Sequence, residues 1–107
     1  MTTIDILKKT KAAWKTICNA SNETKNALLL AMADSLEKNC AAILEANRAD
    51  MDGARGHISD VMLDRLYLDE KRVAGMAAGI RDTTALPDHT GRILSEIHRP
   101  NGMTIYK

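Results

Sequence analysis

The sequence predicts a mainly α-helical chain that ends in a β-hairpin. Helices are expected over residues 4–18, 22–38, 40–54, 60–65 and 70–85, and strands over 92–99 and 103–107. Three observations carry this reading. Apolar residues recur at three- and four-residue spacing as far as Ala85. The breaks between periodic runs hold capping and turn residues: Asn19-Ala20-Ser21-Asn22, Asn39, Gly53-Ala54-Arg55-Gly56 and Leu86-Pro87-Asp88. Beyond them Asn101-Gly102 lies between two short strand-like runs, and both residues tolerate the positive φ of a tight hairpin turn.

Thr3 reads as the N-cap of the first helix, where Ile4, Leu7, Trp14, Ile17 and Cys18 share a face opposite Lys and Thr. Ser21 caps the second helix, with Glu23 in its first turn, where the macrodipole favours an acid. Leu28, Leu29, Leu30, Met32, Ala33 and Leu36 form an arc wider than one stripe, which predicts packing against two neighbours. Asp34 and Lys38 form an i,i+4 pair on the wet side, worth a few tenths of a kcal/mol. Asn39 reads as the cap of the third helix, whose face is Cys40, Ile43, Leu44, Asn47 and Met51. Asn47 is a polar group on that apolar stripe. It is either a specific buried hydrogen-bonding group or an edge residue facing solvent, and the pattern favours the edge. Gly53 or Gly56 suits a left-handed C-cap.

Ser59 opens a short turn of helix, Asp60 to Arg65, that presents Val61, Met62 and Leu66. Asp69-Glu70 start the last helix. Its stripe of Val73, Met76, Ala77 and Ile80 is the cleanest in the chain, and Gly75 and Gly79 would let another backbone come close. Leu86-Pro87 ends it, since proline disfavours helix in the residue before it. A lone two-stranded hairpin is marginal in water and leaves its edges unpaired. With no third strand after Lys107, the hairpin is expected to have missing partners: more of its own chain, another subunit, or both.

At 107 residues the chain is at most one domain, able to bury roughly two-thirds of its unfolded surface. It has no Phe, one Trp and two Tyr, so its apolar side chains are mostly Ala, Leu, Ile and Met. Small side chains bury little area each, which fits a segment that packs on a larger body. The net charge of +1 with interspersed signs argues against a nucleic-acid partner. The Lys8, Lys9, Lys11 and Lys15 group, without aromatic stacking residues beside it, reads as a solvated helix face. Cys18 and Cys40 read as free buried thiols of a reducing compartment. No secretory signal and no apolar run of about 20 residues is present, which predicts a cytoplasmic chain with no membrane partner.

No active-site constellation emerges. His57, His89 and His98 have no second histidine or cysteine at ligand spacing. Gly53 and Gly56 follow a helix rather than a strand, so they do not make a phosphate loop. No Ser or Cys sits on a strand-turn-helix elbow. Asp50, Asp52, Asp60, Asp64, Asp69 and Glu70 match neither a paired-carboxylate nor a calcium-loop spacing. Asp64-Arg65 reads as a solvated or helix-capping pair.

The punctuation taken together, Ile43-Leu44-Glu45-Ala46-Asn47, Asp50, Leu63-Asp64-Arg65-Leu66, Ala85-Leu86-Pro87-Asp88, Gly91-Arg92 and Arg99-Pro100-Asn101-Gly102, resembles the N-terminal part of gamma-glutamyl phosphate reductase. That family, also called glutamate-5-semialdehyde dehydrogenase, belongs to the aldehyde dehydrogenase superfamily. The resemblance covers essentially the whole chain but a minor part of the family's length. It implies the N-terminal part of an α/β aldehyde-dehydrogenase-like fold, with residues 1–91 as a helical outer layer of the dinucleotide-binding domain and residues 92–107 beginning an oligomerisation arm. It implies partners in the rest of the reductase chain and in a second subunit of a homo-oligomer, reached through the hairpin. The family reduces gamma-glutamyl phosphate with NADPH, through a downstream cysteine that forms a thioester. Neither Cys18 nor Cys40 matches that cysteine's motif, so no catalytic, cofactor-binding or metal residue is assigned here and no cofactor is expected to bind this chain.

Two other readings compete. One is a free-standing helical interaction module that lends its hairpin to a partner sheet. The other is an aldehyde dehydrogenase of different substrate, against which the Arg99-Pro100-Asn101-Gly102 turn argues.

Overall fold

The computed structural model describes residues 1–107 and contains five helices followed by a two-stranded antiparallel hairpin. The helices are α1 (Thr3–Cys18), α2 (Asn22–Lys38), α3 (Cys40–Ala54), α4 (Asp60–Leu66) and α5 (Glu70–Thr83); the strands are β1 (Glu96–His98) and β2 (Thr104–Tyr106).

Local capping chemistry sets the helix starts. Thr2, not Thr3, caps α1: its hydroxyl accepts from the Asp5 N–H at 3.3 Å while its own N–H donates to Asp5 Oδ2 at 2.9 Å. The reciprocal bonds need an acid three residues on, which Thr2 has in Asp5 and Thr3 lacks in Ile6. Ser21, Ser59 and Asp69 cap α2, α4 and α5 as their sequence context predicts, accepting from the N–H groups of Thr24, Met62 and Arg72. Asn39 does not cap α3. Its ψ of 12° is not the extended conformation a cap needs, and its side chain turns back to donate to the Ser35 carbonyl at 2.8 Å.

Helix ends are similarly local. Gly56 takes the left-handed φ of +77° just past α3, whereas Gly53 stays inside the helix. α5 stops at Thr83, two residues before the expected end. There Thr84, Ala85 and Leu86 donate to carbonyls three residues back, which tightens the last turn ahead of Pro87.

The chain divides into two compact units, Ala20–Leu86 and Met1–Asn19 with Pro87–Lys107. In the first, α2 packs mainly on α5, α3 touches both, and α4 packs on α3. The two neighbours expected for α2 are therefore present, although Leu28, Leu30 and Met32 stay exposed. The fully buried apolar core is Ala33, Val73 and Ala77. Of the stripe expected on α5, Ile80 is half-buried and Met76 is 43 % exposed, because the α2 contact centres on the small side chains. A Cβ added at Gly75 or Gly79 would meet nothing within 4 Å, so no close backbone approach uses them in this chain.

In the second unit, α1 buries none of its side chains, and Trp14 is 64 % exposed. The strands are three residues each, shorter than expected, because the Leu94 and Ser95 N–H groups converge on one carbonyl, that of Lys107, at 2.7 and 3.4 Å. Two donors on one acceptor form a β-bulge, which locally disrupts the regular ladder. Upstream, Gly91 at φ +77° and the Arg92 N–H donating to the His89 carbonyl form a turn.

Candidate functional site

The candidate site is the hairpin. Glu96 pairs with Tyr106, Ile97 with Ile105 and His98 with Thr104. Side chains alternate between faces along a strand, so Ile97 and Ile105 share one face, and Glu96, His98, Thr104 and Tyr106 share the other. The polar face is internally bonded: His98 Nε2 lies 3.0 Å from Glu96 Oε1 and Nδ1 lies 3.2 Å from Thr104 Oγ1. On the apolar face Ile97, Ile105 and the nearby Met103 are about half exposed. The two-stranded sheet has an edge on each side, and such edges template the addition of a further strand.

The turn differs from the expected two-residue Asn-Gly turn. Gly102 alone takes positive φ, at +85°, while Asn101 stays negative. The Gly102 N–H donates to the Arg99 carbonyl at 3.0 Å, the Arg99 N–H donates to the Met103 carbonyl at 2.8 Å, and the Asn101 side chain accepts from the Met103 N–H at 3.1 Å. Pro100 and Asn101 are thus the central residues, followed by a left-handed glycine bulge. A two-residue turn would make residue 100 a ladder donor, and proline has no N–H to give.

Two polar sites organise the α2–α5 unit, and periodicity hid both. Asn47, the residue expected at a solvent-facing edge, is only 7 % exposed. Its Nδ2 donates to the Leu66 carbonyl at 2.8 Å and its Oδ1 accepts from the Leu68 N–H at 2.9 Å, which ties α3 to the link between α4 and α5. Arg72 braces the same link. It donates to the Asp64 and Tyr67 carbonyls, pairs with the Asp64 carboxylate at 2.8 Å, and lies 5.2 Å over the Tyr67 ring. The ion pair made by Asp64 is therefore to Arg72 rather than to its neighbour Arg65. Arg81 of α5 grips α2 by a bidentate contact to Glu37, both bonds at 2.7 Å, and by Asp34 at 2.8 Å. The partner of Asp34 is thus Arg81, where the sequence suggested Lys38. The hydrogen bonds from Arg81 hold the Glu37 carboxyl below the usual range, and the Arg81 guanidinium is raised further by Glu37 and then Asp34.

A depression of about 460 Å³ beside α3 is lined by Asn47, Arg48, Arg55, Tyr67 and Asp69. Asn47 has both ends of its amide occupied, and Arg55 faces Asp52 at 3.8 Å in an exposed pair. No group of three or more His, Cys, Asp or Glu is placed to hold a metal ion. Cys18 is exposed and Cys40 half-buried, which corrects the expectation of two buried thiols; α1 has no covered face to hide Cys18. No helix is long and apolar enough to cross a membrane.

No family model matches the chain. A gamma-glutamyl phosphate reductase of Neisseria meningitidis is 54% identical over 97 residues, which span 91% of this chain and 23% of that protein. One from Streptococcus pneumoniae is 51% identical over 100 residues, 94% of this chain and 24% of that protein. The crystal structure of gamma-glutamyl phosphate reductase from Thermotoga maritima matches with a TM-score of 0.87 at 31% identity, over 96% of this chain and 25% of that one. The chain therefore spans about a quarter of the length of the relatives it matches. By sequence and by fold, it is homologous to a segment of gamma-glutamyl phosphate reductase, and its five helices and hairpin match part of that enzyme's structure.

Proposed function

We propose that this chain is the N-terminal segment of a cytoplasmic, NADPH-dependent reductase that converts gamma-glutamyl phosphate to glutamate-5-semialdehyde in proline biosynthesis. The observation that carries the reading is 54% identity over 91% of the chain, confined to 23% of the relative. In this reading residues 1–91 are a helical outer layer of the cofactor domain, residues 92–107 begin an oligomerisation arm, and the chain alone neither binds NADPH nor turns over substrate. The half-exposed isoleucines and free edges of the hairpin support a contact with the rest of the enzyme and with a second subunit.

The test is complementation. The purified chain is assayed for NADPH oxidation with gamma-glutamyl phosphate generated in situ, alone and mixed with the Neisseria meningitidis relative lacking its 97 matched residues. Activity only in the mixture is expected. Turnover by the chain alone overturns the assignment of chemistry elsewhere, and a mixture that stays inactive while the intact relative works counts against the segment reading. The hairpin also supports a second reading, a helical interaction module that adds a strand to a partner sheet. That reading predicts stable binding of the chain to a partner other than the reductase remainder.

A further inference from the structure

We draw no further inference here: the strongest candidate, the exposed apolar face of α1 formed by Ile6, Leu7, Trp14 and Ile17 beside Lys11 and Lys15, is an unpartnered helix surface, and nothing in the structure shows what covers it.

Discussion

Asn47 is the one buried polar side chain of the chain, and both ends of its amide are matched to backbone groups of the stretch after α4. Truncation to alanine leaves the Leu66 carbonyl and the Leu68 N–H without their partner. Each orphaned group costs about 1–3 kcal/mol, so Asn47→Ala is expected to destabilise by about 2–6 kcal/mol in urea unfolding; a loss near zero would show that water replaces the amide. At Glu37 the prediction concerns protonation. A carboxyl whose folded pKa is lowered adds stability above its unfolded value and loses it as pH falls through the folded one, so the Arg81 contact weakens only below the ordinary glutamate range. Carbon-detected NMR titration should therefore place the Glu37 midpoint low in the wild type and near ordinary in Arg81→Gln; equal midpoints would remove Arg81 as the cause. Neither role was legible in the sequence. Periodicity favoured Asn47 as a solvent-facing edge of the apolar stripe, because its partners are irregular backbone 19 and 21 residues away. Asp34 had a plausible neighbour in Lys38, while the guanidinium it binds lies 47 residues on. Local spacing does not encode such pairs.

At the scale of elements the sequence was more informative, because the deciding interactions are local. Ser21, Ser59 and Asp69 start their helices through side-chain bonds three residues forward, and Pro87 follows the end of α5. The misreadings were also local. Thr2 has the acid that completes its capping box and Thr3 does not, while Asn39 serves the helix behind it rather than the one ahead. In the hairpin, Gly102 carries the positive φ of the turn, a conformation costing a residue with a Cβ about 1–2 kcal/mol. Gly102→Ala is thus expected to lower the hairpin population several-fold, read as loss of cross-strand NOEs between Ile97 and Ile105. Undiminished NOEs would mean that contacts other than the turn hold the strands.

For the whole molecule, fold class followed from periodicity and capping, but packing did not. Amphipathic spacing identifies an apolar face without naming what covers it, and α1 shows the gap: a face with Trp14, Leu7 and Ile17, all exposed. The buried apolar core is two alanines and a valine, and a fully buried valine side chain contributes only about 1.5–3 kcal/mol. The isolated chain should accordingly melt over a broad range with a calorimetric enthalpy well below the roughly 70 kcal/mol of a typical 100-residue domain; a sharp transition of full enthalpy would show that this core suffices.

Pro100 reaches further than the turn it occupies. Because it cannot donate, the turn starts at Arg99, and that offset sets Ile97 opposite Ile105. Were residue 100 able to donate, the two-residue turn over Asn101-Gly102 would compete, and the pairing would slip so that Ile97 met Tyr106 and Ile105 met His98. A slip of one residue reverses the facing of a strand, so the isoleucines would part onto opposite sides. The missing hydrogen of one proline thereby selects which surface the hairpin shows, and a substitution there is expected to redistribute the side chains between its two faces without unfolding a single helix.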